Sequence, residues 1–215
     1  MPRPTIQSPE RGNARLRLLE AARDVIRAQG YAGTTIDDLC RAAGVTKGAF
    51  FHHFDDKQAL GVAAAEFWAE TTTVFFEAAP YHEPAEPLDR LLAYIAFRRS
   101  IIEGPIPDFV CLVGTLASEV YVTGPAIREA AGRSIFGHAA TLEADIASAM
   151  SSHGLAAPKP ASLARYFQAA LQGGLVLAKA GNDAALAREA LDHLDRYIRL
   201  LFNLPLEEAS YAHEH

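Results

Sequence analysis

The chain has 215 residues, half of them hydrophobic and 21% charged, with a formal net charge of -6 at neutral pH. These proportions are close to the average for globular proteins, so they exclude a largely disordered or fibrous chain. The length suits either one helical domain with its own core or a small module joined to a larger one.

Positive charge is concentrated at the front of the chain. Residues 1–68 contain nine Lys and Arg against eight Asp and Glu, whereas residues 69–215 contain eleven against eighteen. We therefore expect any polyanionic partner to bind the N-terminal part.

The sequence lacks the signals of export and membrane insertion. Its N-terminus has no apolar core of the length that a secretory signal needs, and the apolar segment 166–178 is shorter than the roughly 20 residues that span a bilayer. Cys40 and Cys111 are too few and too far apart for a disulfide framework or a cysteine-rich zinc site. We expect a cytoplasmic protein with no membrane span, metal ion or cofactor.

Helical spacing dominates from the first predicted element onward, and strand patterns are scarce. In the first helix Leu18, Ala22, Val25 and Ile26 share one face, and Gly30 is placed to end it.

A short second helix is predicted in TTIDDLCRAAGV. Thr35 and Asp38 resemble a capping box, with Asp in place of the usual Glu or Gln, and Gly44 ends the helix after little more than two turns. The apolar residues at helical spacing are Ile36, Leu39, Cys40 and Ala43.

A third helix follows at once in GVTKGAFFHHF, with Thr46 as its N-cap. Two short helices joined by a Gly-containing turn, after a longer supporting helix, are the sequence form of a helix-turn-helix. Phe50 and Phe54 lie four residues apart, so we expect both to anchor one side of this helix in the core.

The start of the third helix has the chemistry of a phosphate site. Unpaired backbone N–H groups carry a partial positive charge there, and Lys47 lies beside them. Gly48 and Ala49 are small enough for that end to approach another surface closely. Asp55 is predicted to cap the fourth helix, and Lys57 lies in its first turn, where a cation is favourable if a phosphate is nearby.

The remaining chain is predicted as a long fourth helix and five more, which gives an all-α fold of about nine helices. Gly or Pro interrupts the pattern at each break. The predicted helices are 57–79, 87–103, 108–122, 125–153, 160–180 and 183–202.

Residues 34–60, TTIDDLCRAAGVTKGAFFHHFDDKQAL, resemble the DNA-binding region of the TetR family of transcriptional regulators. The resemblance implies a helix-turn-helix DNA-binding domain with a basic N-terminal arm at residues 1–56. It also implies a helical ligand-binding and dimerisation domain at residues 57–215. The implied function is a repressor that binds a palindromic operator in double-stranded DNA as a homodimer and is released by a small-molecule or electrophilic inducer.

Carried over residue by residue, the resemblance places Thr35 at the phosphate-facing start of the second helix and Lys57 on a phosphate at the start of the fourth. Phe51 stands where many members carry Tyr, so it packs against sugar and His52 takes more of the phosphate contact. The residues at the DNA-facing end of the third helix are Thr46, Lys47, Gly48 and Ala49. The alternative for the lysines and histidines is simple solvation.

The two C-terminal helices, 160–180 and 183–202, are the implied dimer interface, because in the family they pair with their counterparts as a four-helix bundle. Each carries an apolar stripe. The stripe residues are Leu163, Phe167, Ala170, Leu171, Gly174 and Ala178 in the first, and Ala190, Leu191, Leu194, Ile198 and Leu201 in the second. The alternative is that both stripes face the core of their own chain.

The central helices, about 87–153, are expected to enclose the inducer. Candidate lining residues are the aromatic and polar side chains of this region together with one thiol: Tyr94, Phe97, Arg98, Phe109, Cys111, Glu119, Tyr121, Phe136 and His138.

The segment around Cys111, DFVCLVGTLASEV, is similar to one in a branch of the family that senses electrophiles or oxidants through a cysteine. Such reactivity requires a thiolate and therefore a nearby cation, for which Arg98 and His138 are candidates. The alternative is an inert, buried thiol.

Two other functions stay open as alternatives. An enzyme could use Cys111, His138 and Glu119 as nucleophile, base and orienting group, but their spacing does not require proximity, so we expect no enzyme. A DNA-bound adaptor for a protein partner, without a small-molecule response, is the second alternative. Activation in place of repression is also open.

Overall fold

A computed structural model describes residues 9–206, with side chains from Ala14 onward. This part of the chain is all-α, as predicted. The predicted basic arm at residues 1–8 lies outside the described residues.

Eleven α-helices and one short 3-10 helix, Pro80–His82, make up the described chain. The α-helices are α1 (Pro9–Gln29), α2 (Ile36–Ala43), α3 (Lys47–His53), α4 (Lys57–Glu77), α5 (Pro87–Ser100), α6 (Ile106–Phe109), α7 (Leu112–Val120), α8 (Pro125–Ala140), α9 (Glu143–Ser152), α10 (Pro160–Gly181) and α11 (Ala185–Leu201). None of them is both long and apolar enough to cross a membrane.

The predicted helix 108–122 is two helices, α6 and α7. Val110 and Cys111 between them have extended backbone, with ψ angles of 150° and 119°. The carbonyl of Val110 accepts a hydrogen bond from Arg27 Nε at 2.9 Å. The interruption is therefore stabilised by a residue from a different helix.

The predicted helix 125–153 is also two helices, α8 and α9. The N–H of Leu142 donates to the carbonyl of Ala139 at 3.1 Å, which tightens the backbone into a turn at this point. Leu142 is buried. Because residues 139–142 at the break include neither Gly nor Pro, the local sequence did not indicate it.

The described residues form two compact units. The first contains the described residues up to Ala78 together with Glu103–His138, and the second contains Ala79–Ile102 together with those from Ala139 onward. The predicted functional boundary between residues 56 and 57 stays a prediction.

One hydrophobic core runs through the first unit and includes residues of α1 to α4, α7 and α8. A Cβ on Gly61 of α4 would lie 2.7 Å from Ile127 Cδ1 of α8, so these two helices approach closely where the side chain is missing. The fully buried side chains include Leu18, Ile26, Leu39, Phe50, Leu60, Leu112, Leu116 and Ile127. The helix-turn-helix therefore shares its core with α7 and α8.

In the second unit, α10 packs along α11, and most residues of the predicted dimer stripes are buried. A Cβ on Gly174 would be 2.8 Å from Ala190 Cβ, so the two helices meet at this glycine. The buried stripe residues are Leu163, Phe167, Leu171, Gly174, Ala178, Leu191, Leu194 and Ile198. The prediction that these residues face a partner is wrong, because they form the core of their own chain.

Candidate nucleic-acid interface

The start of α2 is fixed by a capping box, as predicted. The Thr35 hydroxyl accepts a hydrogen bond from the Asp38 N–H at 3.1 Å, and Asp38 Oδ2 accepts one from the Thr35 N–H at 3.0 Å. These bonds to Thr35 lower the pKa of the Asp38 carboxyl group. Thr35 itself is exposed, with its hydroxyl held at the first turn of the helix.

The turn between α2 and α3 depends on Gly44. Its backbone is left-handed, with φ 61° and ψ 40°, a conformation that favours glycine. The Val45 N–H then donates to the Cys40 carbonyl at 2.9 Å. Thr46 begins α3 as its N-cap, and its hydroxyl accepts the Ala49 N–H at 3.1 Å. Both caps are confirmed.

The two sides of α3 differ as predicted. Phe50 and Phe54 are buried, with ring centroids 5.7 Å apart. Phe51 is 54% exposed and meets the edge of Phe50, and His52 is also exposed. At the start of the helix, the exposed residues are Thr46, Lys47 and Gly48, while Ala49 is half-buried.

Lys47 carries its charge beside a carboxylate. Its Nζ lies 2.8 Å from Asp37 Oδ1 of α2, and both side chains are more than half exposed. The hydrogen bond to Asp37 raises the pKa of Lys47. A phosphate that approaches Lys47 must therefore compete with Asp37, a partner that the sequence pattern did not indicate.

The Lys57 ammonium binds backbone carbonyls of its own chain, whereas the prediction placed it on a phosphate. The ammonium donates to the carbonyl oxygens of Tyr31 at 2.7 Å and Thr34 at 2.6 Å, and it lies 4.3 Å from the centroid of the Tyr31 ring. Burial lowers its pKa. Two of its three N–H donors are thus used within the chain, and its predicted phosphate contact stays a prediction.

The N-cap of α4 is Asp56, not Asp55 as predicted. Asp56 Oδ1 accepts the Ala59 N–H at 2.7 Å. Aspartate is a common N-cap residue, and because α4 begins at Lys57, the residue in the cap position is Asp56.

Arg17 of α1 also contacts this region. A Cβ on Gly44 would be 4.0 Å from its Nη1, so the guanidinium lies beside the turn between α2 and α3. Its Nε is buried without a hydrogen-bond partner among the described residues.

Three of the predicted inducer-binding residues come together in the second unit. Tyr94 is buried, its ring lies 5.2 Å from that of Tyr81, and Arg98 Cζ lies 5.7 Å from the Tyr94 centroid. Phe97 packs on the same Tyr81 at 5.7 Å. Gln168 Nε2 donates to the Tyr94 hydroxyl at 3.5 Å. Burial raises the pKa of Tyr94.

The other predicted inducer-binding residues lie in the first unit. Cys111 is half-buried and caps α7, where its Sγ accepts the Gly114 N–H at 3.4 Å. Phe109 is half-buried, whereas Tyr121 and Phe136 are 63% and 61% exposed. The cavity that these residues were predicted to line stays a prediction.

Glu119 and His138 have partners within the first unit. Glu119 Oε2 accepts the Ala32 N–H at 2.7 Å, and the ring of His138 lies 4.5 Å from that of Phe76. Cys111 and Glu119 are eight residues apart along α7, or about 12 Å along its axis. That separation does not allow Glu119 to act with Cys111 in a catalytic group.

The cation that interacts with Cys111 is Arg27 of α1, which the sequence did not indicate. Its electrostatic interaction with Cys111 accompanies the hydrogen bond to Val110, the preceding residue, and burial lowers its pKa. Arg98, one of the predicted cations, belongs to the second unit. Within residues 9–206, no group of three or more His, Cys, Asp or Glu side chains is arranged to bind a metal ion.

Curated proteins are similar to part of the chain. It is 45% identical over 53 residues to the repressor AcnR of Corynebacterium efficiens, which covers 25% of this chain and 28% of AcnR. It is 29% identical over 116 residues to the regulator AcuR of Cereibacter sphaeroides, covering 53% and 52% of the two chains. The chain thus spans about a quarter to half of the length of these relatives.

Solved structures are similar over most of the chain. A TetR-family regulator from Agrobacterium tumefaciens has a TM-score of 0.76 at 20% identity, covering 87% of this chain and 98% of that one, which shows the fold alone. A TetR regulator from Chloroflexus aurantiacus has a TM-score of 0.75 at 27% identity, covering 88% and 96%. Reduced NemR from E. coli has a TM-score of 0.68 at 26% identity, covering 85% and 96%.

Two family models match the sequence itself. Residues 18–64, which include the helix-turn-helix, match the model described as bacterial regulatory proteins, tetR family. Residues 87–194, half of the chain, match the one described as tetracyclin repressor-like, C-terminal domain. The protein therefore belongs to the TetR family of transcriptional regulators, which are not enzymes.

Proposed function

We propose that the protein is a cytoplasmic transcriptional repressor that binds a palindromic DNA operator as a homodimer and is released by a small-molecule inducer. The observation that carries this proposal is the exposed N-terminal end of α3. The buried side chains of Phe50 and Phe54 anchor the helix in the core. Thr46, Lys47 and Gly48 face solvent at its start. That end supplies a cation and small side chains at a helix terminus.

The fold itself does not require a glycine at position 48. A Cβ there would have Thr46 Oγ1 as its nearest neighbour, at 3.7 Å, which is an ordinary contact. The absence of a side chain at this exposed position suits close approach by an external surface such as a DNA groove. The exposed residues beside Gly48 are Thr46, which is polar, and Lys47, which is cationic. Both suit contact with a phosphate backbone.

An exposed apolar surface on α10 and α11 supports the homodimer. The rings of Tyr166 and Tyr197 are 5.2 Å apart, so both helices contribute to one surface. Across the two helices, the large exposed apolar residues are Tyr166, Val176, Leu177, Tyr197 and Leu200. Contiguous exposed apolar residues mark interaction sites, and a second copy of the chain would cover this surface by two-fold symmetry.

The aromatic cluster of the second unit supports an inducer site there. Tyr94, Gln168 and Arg98 place polar groups among the rings of Tyr81 and Phe167. Ligand pockets combine apolar walls with a few polar groups in this way. Release requires that the inducer bind the form that does not bind DNA more tightly, and a difference of about 1–3 kcal/mol is enough.

The test of DNA binding by α3 is Lys47→Ala. If Lys47 neutralises a phosphate, its loss should weaken binding to all duplexes alike, and the slope of log affinity against log salt should fall by about 0.9 per subunit. The measurement is fluorescence anisotropy of a labelled duplex at several salt concentrations. A change in preferred bases with an unchanged slope would instead assign Lys47 to base readout.

Two matched variants accompany this test. Lys159→Ala removes the same charge from the second unit and should leave the slope unchanged. Asp37→Asn removes the carboxylate that pairs with Lys47 at 2.8 Å, so it should tighten DNA binding. Equal losses for Lys47→Ala and Lys159→Ala would contradict a phosphate contact at α3.

Cys111 offers a second candidate route of induction, by reaction with electrophiles. The thiol is half-buried at the start of α7, and the Arg27 cation interacts with it electrostatically. Addition to an activated alkene would form a carbon–sulfur bond, and the neighbouring alkene carbon would take a proton from water. The adduct would disturb the start of α7.

We expect Cys111→Ser to bind operator DNA normally and to resist release by N-ethylmaleimide. Serine is a good N-cap, so it can replace the Sγ that accepts the Gly114 N–H. Fluorescence anisotropy measures release of the protein from labelled DNA, and intact-protein mass spectrometry counts the N-ethylmaleimide adducts. Cys40→Ser is the control, because Cys40 is buried and should not react. Equal release of wild type and Cys111→Ser would exclude Cys111 as the sensor.

A further inference from the structure

The loop between α1 and α2, residues 30–34, is bound by a carboxylate from α7. Glu119 Oε2 accepts the backbone N–H of Ala32 at 2.7 Å. A Cβ on Gly30 would lie 2.6 Å from Glu119 Oε1, so the carboxylate fills the space beside this glycine. Gly30 has φ 81°, which also favours glycine. Glu119 therefore lies against the loop at two positions, Gly30 and Ala32.

The same loop is bound by Lys57 of α4. The Lys57 ammonium holds the carbonyls of Tyr31 and Thr34, while Glu119 holds the N–H of Ala32. Glu119 and Lys57 also attract each other electrostatically. The residue after this loop is Thr35, the N-cap of α2. Opposite charges from α7 and α4 thus fix the backbone that leads into the helix-turn-helix.

The chain just before α7 is bound to α1. Arg27 donates to the Val110 carbonyl at 2.9 Å, and its guanidinium lies 5.4 Å from the Trp68 ring centroid. Between this contact and that of Glu119, Leu112 and Leu116 of α7 are fully buried in the core of the first unit. A displacement of α7 would therefore be transmitted directly to α1 and to the loop before α2.

We propose that Glu119 is a positioning residue for DNA binding, through which α7 holds the α1–α2 loop and sets the orientation of the helix-turn-helix. This inference rests on the proposed function, because it assigns the regulation of that DNA-binding surface. A change at α7 that withdraws Glu119 frees the Ala32 N–H and loosens the loop. The alternative, that Glu119 is an ordinary solvated carboxylate, predicts that its removal neither speeds exchange of the Ala32 amide nor weakens DNA binding.

The test is Glu119→Ala in the full-length chain, with two measurements. Loss of a charge-assisted hydrogen bond should speed hydrogen exchange of the Ala32 amide by about tenfold, as read by NMR. Operator affinity should fall by about fivefold or more, as measured by anisotropy. Electrostatics alone predicts the opposite sign, because removal of a negative charge favours binding to DNA.

Two further variants separate positioning from charge. Glu129→Ala removes one carboxylate from α8 of the same unit and should bind DNA at least as tightly as wild type, with unchanged exchange at Ala32. Glu119→Gln keeps an acceptor for the Ala32 N–H and should recover most of the affinity. Because Glu119 is exposed, Glu119→Ala and Glu119→Gln should leave the buried core intact. Far-UV circular dichroism checks that each variant is folded.

Unchanged exchange at Ala32 in Glu119→Ala would overturn the inference, and so would an affinity equal to that of Glu129→Ala. Failure of the wild-type protein to bind any duplex would instead contradict the proposed function. In that case the exchange measurement would still show whether Glu119 fixes the loop.

Discussion

The double substitution Val176→Glu and Leu177→Glu is expected to convert the dimer into a monomer and to lower operator affinity by about a hundredfold or more. Both side chains are exposed and apolar on α10, where the proposed interface lies. In a symmetric dimer four carboxylates would be buried together, at a cost that apolar contacts cannot offset. The loss in affinity follows because each monomer can bind only one half-site.

Sedimentation velocity measures the oligomeric state, and anisotropy with the same protein measures operator affinity. Val74→Glu with Val122→Glu is the matched control, because it adds two carboxylates at exposed apolar positions of the first unit. The control should remain dimeric. A Val176→Glu and Leu177→Glu protein that stays dimeric at micromolar concentration would place the interface elsewhere.

Phe50→Ala is the substitution with the largest expected effect on stability. Phe50 is fully buried in the core shared by α1 to α4, α7 and α8, so truncation should lower the free energy of unfolding by about 3–5 kcal/mol. Urea unfolding followed by circular dichroism measures the change. DNA binding should be lost with it, because Phe50 holds α3 against its supporting helices.

The neighbouring Phe51→Ala is the control for Phe50→Ala. Phe51 is more than half exposed, so its truncation should change the free energy of unfolding by only about 0.5 kcal/mol. It should nevertheless weaken DNA binding, since the proposed role of Phe51 is to pack against the sugar–phosphate backbone. Equal losses of stability in the two variants would contradict the two-sided arrangement of α3.

The helix-turn-helix could be predicted from sequence because its determinants are local. Thr35 and Thr46 cap helices whose backbone N–H groups lie three residues away, and Gly44 adopts its left-handed backbone at the point where α2 ends. Even so, the predicted cap Asp55 was one residue from the observed cap, Asp56.

The break within the predicted helix 108–122 was missed because its cause is not local. Arg27, which binds the Val110 carbonyl, lies 83 residues earlier in the chain. Lys57 presents the same limitation. A lysine in the first turn of a helix is visible in the sequence, but the carbonyls of Tyr31 and Thr34 that bind it are 26 and 23 residues away.

The apolar stripes of α10 and α11 illustrate another limit of periodicity. A helical stripe predicts that a face is buried, but it does not tell whether the same chain or a partner covers it. Leu171 and Leu194 are covered by their own chain, whereas Val176 and Leu177 remain exposed and form no complete stripe. The family resemblance implied the dimer, and the exposed residues of α10 and α11 are our proposal for its interface.

Selection of bound sequences from a random duplex library, followed by salt titration of the recovered duplex, tests DNA recognition by paired α3 helices most directly. We predict an inverted repeat whose half-site centres are about one helical turn (34–36 Å) or somewhat more apart, bound more weakly as salt increases. Recovery of no inverted repeat, together with a monomeric protein that no duplex retains at low salt, would contradict the account.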